Sequence, residues 1–518
     1  MDKVHILWAD DEIDLLKPHI LFLKEKGYDV ATATSGNEAV EMVGNNDYDI
    51  VFLDENMPGM SGLEALTRIK NQRNEIPVVM ITKSEEENLM EDAIGSKIAD
   101  YLIKPVNPNQ ILLSLKKILE NKRIVSAKTT SGYQQEFRSI GMRLSDRLSW
   151  QEWTEIYRKL IFWELELGRT NDESMREILT MQKSEANVAF GKFIEQQYTS
   201  WLSGKEKNPP VMSHTLIKNW LMPQFEKDSG PIFFVLIDNL RYDQWKVLQP
   251  VISQYFKVEE EEMFFSILPT ATQYARNAIF AGLLPTEIEK RFPTLWKNDD
   301  DEGGKNLHEE EFLAAQLKRL GKDIKFSYNK ITTYAAGKKL AESMQNLMQN
   351  RLNVIVYNFV DMLSHARTEM EVIRELADDD AAYRSLTLSW FEHSPLHDII
   401  RQISEKKCRL VITTDHGTIK VTEPTKVIGD KNVNSNLRYK QGKSLDYVKK
   451  DVFEVRNPAD VFLPRLNVST SYIFAKEDMF FAYPNNYNYY VQYYRNTFQH
   501  GGISLEEMII PYIVLSPK

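Results

Sequence analysis

Three aspartates and three histidines, Asp238, Asp361, His365, Asp415, His416 and His500, have the types and spacings that bind divalent metals. Asp361 and His365 stand four apart in Asp-Met-Leu-Ser-His, so both can face one ion from a helical turn or a loop. Asp415-His416 is an adjacent pair followed by Gly417, and His500 is followed by Gly501-Gly502, where the backbone can come close to a ligand. A nitrogen and oxygen donor set without cysteine suits two borderline cations, zinc first and manganese second. Two such ions can activate an attacking oxygen and stabilise a leaving oxygen at phosphorus. A nucleophile is then needed, and Pro269-Thr270-Ala271-Thr272 offers hydroxyls ahead of a helical pattern whose start favours a phosphoryl anion. Arg241, three residues after Asp238, and Asn277 are candidates for the remaining phosphate oxygens.

A second set lies near the start of the chain. Asp10 and Asp11 are adjacent carboxylates that repel unless a cation sits between them, and oxygen-only ligands suit Mg²⁺. Asp54 precedes Met57-Pro58-Gly59, and Thr82 and Lys104-Pro105 follow at later strand ends. Together they read as a phosphoryl acceptor: Asp54 as nucleophile, Mg²⁺ and Lys104 neutralising its charge, Thr82 donating a hydrogen bond, and Tyr101 turning inward when Thr82 moves.

These residues must be placed by regular elements. Over residues 1–122 short apolar runs at Val4–Trp8, Ile50–Leu53, Val78–Ile81 and Tyr101–Ile103 alternate with helical patterns, which implies a parallel sheet covered on both faces. Such a sheet collects its site at the carboxyl ends of its strands. From 123 to 205 helical spacing takes over, with a capping box at Ser149–Glu152 before the stripe Ile156, Leu160, Trp163, Leu167. A second helix is expected near Asn171 and a third over Ser184–Leu202, making a helical spacer bundle, followed by a linker at Lys205–Pro210. Residues 211–518 return to βα alternation, with strands expected at Ile232–Ile237, Val354–Val360, Arg409–Thr413 and Ile509–Leu515. The first three run into Asp238, Asp361 and Asp415.

The chain has 518 residues, 42% hydrophobic and 27% charged, which suits about three globular domains and excludes a mainly disordered or disulfide-stapled protein. Its single cysteine, Cys408, closes no intrachain disulfide and builds no thiolate metal site. A net charge of −10 gives no global attraction to a nucleic-acid backbone. The start MDKVHILWADDE has no basic leader, and no apolar run approaches the ~20 residues of a membrane span. A cytoplasmic protein without membrane insertion is the expectation.

Two further stretches bear on a substrate. Lys420–Lys450 holds eight basic residues against three acids, reading as a solvated loop or as a lid that steers an anion. Tyr487, Tyr489, Tyr490, Tyr493, Tyr494 and Phe498 crowd the approach to His500; packing in the core or between subunits is the preferred reading over stacking on bases.

The Asp-Asp pair, Asp54 with Met-Pro-Gly, Thr82 and Lys104-Pro105, in order over about 120 residues, resemble a response-regulator receiver domain, which implies a flavodoxin-like fold. The metal-ligand set with Pro-Thr-x-Thr resembles the alkaline phosphatase superfamily, and more narrowly its PglZ domain, implying a doubly wound α/β domain. The resemblance implies Asp361, His365 and His500 at one metal, and Asp238, Asp415, His416 and the Thr272 oxygen at the other. Thr272 rather than Thr270 matches the family nucleophile. Receiver, helical spacer and PglZ domain in this order resemble the PorX family of bacterial response regulators. That resemblance implies phosphorylation by a sensor histidine kinase and a role in type IX secretion.

The combined expectation is a metal-dependent phosphodiesterase acting on nucleotides or on linear or cyclic oligonucleotides. Phosphorylation would change the face around residues 85–120 and promote a homodimer. A non-catalytic binding regulator, either a transcription factor or an adaptor for a sigma factor, and a phosphomonoesterase are the alternatives. No basic recognition helix is visible for the first of these.

Overall fold

The computed structural model describes residues 3–83, 98–170, 172–299, 301–358, 360, 363, 379–429 and 434–518. Asp361 and His365, and residues 85–97 of the expected dimer face, lie outside the described residues. The chain divides into two compact units, Met1–Gly132 and Tyr133–Lys518.

In the first unit, β1 (His5–Ala9), β2 (Asp29–Ala33), β3 (Ile50–Asp54), β4 (Val78–Thr82) and β5 (Asp100–Ile103) form one sheet in the order β2-β1-β3-β4-β5. Every pairing is parallel. Alternate residues leave opposite faces, so Leu7, Ala9, Val51, Leu53, Val78 and Met80 enter one apolar core and Ile6, Trp8, Ile50, Phe52, Val79 and Ile81 the other. That two-sided burial gives the strands their continuous apolar runs. β2, sequence DVATA, carries too little hydrophobicity for such a run and went unrecognised in the sequence. Helices α1 (Lys17–Glu25), α2 (Gly36–Asn45) and α3 (Gly62–Gln72) supply covering faces, and α4 spans Pro108–Leu144.

In the second unit, α5 (Trp150–Gly168) starts at the expected Ser149–Glu152 capping box. The expected second and third helices are one helix, α6 (Glu173–Leu202), capped by Asp172. No glycine or proline interrupts it before Gly191, which is buried against Lys476. These helices share a single core with the α/β sheet behind them. Trp201 packs on Phe265 at 5.2 Å and Tyr157 on Tyr242 at 6.1 Å between ring centroids. Burying each such ring stabilises by roughly 2–3 kcal/mol, so the helices are held onto the domain that follows them.

The main sheet contains β6 (Ile232–Ile237), β7 (Phe256–Phe265), β8 (Phe326–Ile331), β9 (Leu352–Tyr357), β10 (Arg409–Thr413) and β11 (Ile509–Pro517), in the order β7-β11-β10-β6-β9-β8. Only β11 runs against its neighbours, so it begins at the edge where the others end. The sheet therefore brings the residues after β6 and β10, and those before β11, to one edge. β7 was not expected because Glu259–Glu262 breaks its apolar pattern; several of these acids are paired, Glu260 with Lys227 and Glu261 with Lys246.

The stretch Lys420–Lys450 is not simply a loop. It contributes strands Glu423–Ile428 and Tyr439–Gly442, and Arg438 and Lys440 within it are fully buried. Two of its eight basic residues thus carry no surface charge toward a substrate. Of the aromatic residues before His500, Phe498 is buried in the core, whereas Tyr487–Tyr494 is a helix with no buried residue.

Candidate functional site

In the first unit, Asp10, Asp11 and Asp54 bring one carboxylate oxygen each within 4.8 Å of one another. Lys104 Nζ lies 2.8 Å from Asp10 and 2.7 Å from Asp54. Burial raises the Asp54 carboxyl above its usual range, with Asp10 and Asp11 adding to the rise and Lys104 opposing it. Buried Asp10 and Asp54 with exposed Asp11 thus form a negative, oxygen-lined cup that opens at Asp11 and is suited to Mg²⁺. Gly62 at the start of α3 is required by close approach: a Cβ there would stand 2.3 Å from the Asp54 carbonyl oxygen. Thr82 donates to Glu55, and the Tyr101 hydroxyl interacts with Thr82. Glu55 was missed in the sequence, although its place directly after Asp54 puts it on the same edge.

In the second unit, Asp238, Asp415 and His416 are buried and present ligand atoms within 4.8 Å of one another. Asp238 follows β6, held by its amide donating to Tyr357 O, and Asn239 beyond it takes a left-handed φ of 65°, a conformation asparagine tolerates. His416 Nδ1 lies 3.2 Å from Gly417 O, and since a carbonyl only accepts, the proton is assigned to Nδ1 and the lone pair to Nε2. Thr272, first residue of α7 (Thr272–Ala281), places Oγ1 3.0 Å from that Nε2 and 3.5 Å from Asp238 Oδ1. His500 stacks on His416 at 4.3 Å and 20°, and its Nδ1 lies 3.1 Å from Thr270 O.

The two threonines of Pro-Thr-x-Thr have separate work. Thr270 Oγ1 donates to Gly502 O at 2.9 Å and accepts from Gly501 N at 3.0 Å, clasping the segment after His500. Only Thr272 faces the acid and histidine cluster. The glycines serve packing against protein backbone: a Cβ on Gly417 would meet Glu506 O at 2.0 Å, and one on Gly502 would meet Ala475 O at 2.4 Å. Arg438 and Glu507, paired at 2.6 Å in full burial, hold the same segment, with Glu507 accepting from Gly502 N.

Arg276 was missed in the sequence. It lies one turn after Thr272 on α7, has no exposed surface, pairs with Asp238 and sits with Nε 2.9 Å from Asp415 Oδ2. Burial would raise the Asp415 carboxyl, but Arg276 and His416 outweigh it and hold it at about 2. Two buried carboxylates and one arginine leave net negative charge beside an imidazole nitrogen and a hydroxyl, a donor set that fits a divalent cation.

The phosphate candidates fare differently. The Arg241 guanidinium is committed to Asp243 at 2.5 Å and Asp380 at 2.6 Å and stacks over Tyr383 and Phe498. It is a structural ion pair. Asn277 donates to Lys305 O and accepts from Asn306, whose amide also donates to Thr272 O at 3.0 Å. Asn277 and Asn306 therefore fix the backbone that carries Thr272.

Residues 216–515, more than half of the chain, match the family described as the BREX system PglZ alkaline phosphatase-like domain. Residues 123–202 match the PorX response regulator linker domain, and residues 6–116 the response regulator receiver domain. This chain belongs to the PorX-type response regulators. The receiver is also similar to part of the transcriptional regulatory protein ZraR of Escherichia coli (strain K12), 31% identical over 140 residues, 27% of this chain and 32% of that protein. It is similar to the response regulator SaeR of Staphylococcus aureus (strain NCTC 8325 / PS 47), 33% identical over 115 residues, 22% of this chain and 50% of that protein. The chain thus spans a third to a half of the length of these curated relatives. Among solved structures, a two-component response regulator from Clostridium difficile is 30% identical, covering 23% of this chain and 97% of its own, with a TM-score of 0.22. Receiver domains bind Mg²⁺ and alkaline phosphatase-like domains use metals, and acidic groups able to hold an ion occur at both sites. No helix among the described residues is long and apolar enough to cross a membrane.

Proposed function

We propose that this PorX-type regulator is phosphorylated on Asp54 by a sensor histidine kinase and that its output domain is a phosphodiesterase acting on nucleotides or on linear or cyclic oligonucleotides. The observation that carries the reading is the Thr272 hydroxyl, 3.0 Å from His416 and beside Asp238 at the start of a ten-residue helix. Asp238, Asp415, His416 and Thr272 would hold one zinc; His500, with Asp361 and His365, would hold the second. The bound ions would supply positive charge to the attacking, leaving and nonbridging oxygens. The chain's own part is nucleophilic. Thr272 Oγ bonds to phosphorus as the ester P–O bond breaks, and the leaving alkoxide takes up a proton. Water then cleaves the nucleotidyl-threonine ester at its Thr272 P–O bond, releasing the remaining phosphate monoester and restoring the hydroxyl. Asn306 and Asn277 hold Thr272 in place, and Thr270 with Glu507 and Arg438 holds His500.

By family resemblance, the setting proposed is a cytoplasmic regulator of type IX secretion, with phosphorylation favouring a homodimer. The test is hydrolysis of bis-p-nitrophenyl phosphate and short oligonucleotides, with zinc content measured before and after EDTA. Turnover should follow zinc content and be lost in Thr272→Ala with the zinc content retained. Full turnover by Thr272→Ala would refute the nucleophile assignment, and a metal-free, inert wild-type protein would favour an adaptor.

A further inference from the structure

Large aromatic side chains gathered on a surface need an occupant, because burying them is the usual source of stability. The helix Tyr487–Tyr494 holds five tyrosines and buries none, with Tyr489 at 64% and Tyr490 at 39% exposure. Their rings form two ladders along the helix: Tyr489 with Tyr493 and Tyr490 with Tyr494, each pair 6.2 Å apart and within 16° of parallel. Val491 and Tyr494 anchor the helix on the small cluster of Ile419, Val421 and Phe480.

This face is joined to the metal-ligand site by a short ribbon. Ile419–Lys420 pairs antiparallel with Phe498–Gln499, and Arg495 Nε donates to Thr422 O at 3.1 Å. One end of the ribbon continues into His416 and His500, whose rings stack; the other continues into the tyrosine helix. Five residues, with a turn at Asn496 (φ 63°), separate Tyr494 from His500, so the two lie at most about 20 Å apart. The charge around the face is favourable to a polyanion. No acidic residue stands between Asp478 and Glu506, in a chain of net charge −10, while Lys426 lies 5.1 Å over the Tyr487 ring and Arg495 is exposed. Six asparagines and glutamines (Asn485, Asn486, Asn488, Gln492, Asn496, Gln499) surround the tyrosines with groups that donate and accept hydrogen bonds.

Resting on the proposed phosphodiesterase reading, we infer that Tyr489 and Tyr490 form a base-stacking platform that holds the distal part of a single-stranded oligonucleotide whose scissile phosphate lies at Thr272. Aromatic faces bind every base, so the platform selects for chain length and bases rather than for sequence. A span of at most about 20 Å corresponds to no more than roughly six stacked nucleotides at ~3.4 Å each.

The experiment uses full-length, zinc-loaded Thr272→Ala protein, which separates binding from turnover, and fluorescence anisotropy with a labelled oligothymidylate of that length and its abasic counterpart. Adding Tyr489→Ala and Tyr490→Ala together should weaken oligothymidylate binding by at least about fivefold. The abasic chain, which offers the same phosphates, should bind equally to both proteins. Tyr489→Phe with Tyr490→Phe should retain affinity, since the ring and not the hydroxyl is used, and this pair guards against a folding defect. Equal affinity of the alanine and parent proteins for oligothymidylate, an equal loss for the abasic chain, or no binding at all would overturn the proposal. A change of molar mass in solution without a change in oligonucleotide binding would also overturn it and assign the face to a second copy. Loss of hydrolysis is read in the Thr272 protein alone, so failure of the phosphodiesterase reading shows separately.

Discussion

Arg276 Nε lies 2.9 Å from Asp415 Oδ2, and the same guanidinium pairs with Asp238. One arginine therefore serves both carboxylates that would hold a metal, from the helix that begins with the nucleophile candidate. Removing one partner of a buried ionic set costs about 3 kcal/mol or more, because the partners are left buried and uncompensated. Arg276→Met should lower the thermal midpoint of the metal-free protein. It should also enlarge the rise in midpoint produced by zinc, because the divalent ion then supplies the missing positive charge. Arg276→Lys should recover part of the stability, through charge without the two-pronged contact. Differential scanning calorimetry with and without zinc measures both effects, and a zinc-induced rise equal to that of wild type would contradict the assignment.

At the receiver, Asp54 is raised by burial beside Asp10 and Asp11. The folded chain thus holds that proton to higher pH than the unfolded chain, and stability falls as pH rises through the folded value. Asp54→Asn removes this loss. In metal-free buffer at neutral pH the variant should melt above wild type. Mg²⁺ should stabilise wild type more than the variant, and phosphoryl uptake from acetyl phosphate, read by mass spectrometry, should vanish.

Glu164 of α5 meets Arg384 at 2.5 Å and Lys183 of α6 at 2.6 Å, while Arg384 reaches Asp243 at 3.0 Å. This buried cluster ties the spacer helices to the α/β domain. Arg384→Met should destabilise by about 3 kcal/mol. Glu164→Leu combined with Arg384→Met should cost less than the sum of the single changes, because the two residues are in direct contact. Thermal melts of the four proteins measure the coupling, and strict additivity would show that the pair contributes nothing.

Lys440 is fully buried, and burial lowers its ammonium from 10.5 to about 7. Between these values the unfolded chain binds a proton that the folded chain does not, so this group makes stability rise with pH across the window. Lys440→Met should be more stable than wild type near pH 7 by on the order of 4 kcal/mol, with the gap closing toward about pH 10. The difference in melting temperature between the two proteins, followed from pH 7 to about 9.5, checks the sign.

The sequence by itself determined where several strands of both sheets end, though the strand expected over Val354–Val360 stops at Tyr357. β1, β3, β6 and β10 are apolar runs that stop at or beside Asp10, Asp54, Asp238 and Asp415, and a strand buried on both faces leaves that pattern without help from its neighbours. It also supplied Thr272, His416 and His500 through their motifs. Tertiary structure alone decided the fate of the charges. Arg276 became a buried partner of carboxylates 38 and 139 residues away, Arg241 was taken up by Asp243 and Asp380, and acid-rich β7 entered the sheet beside Lys227 and Lys246. Likewise the tyrosines before His500 were left at the surface rather than in the core. The reason is physical. Apolar burial is local in its signature, repeating with the period of the strand or helix. Whether a charge can be buried depends on a partner of opposite sign arriving from a distant segment, and local periodicity carries no trace of that partner.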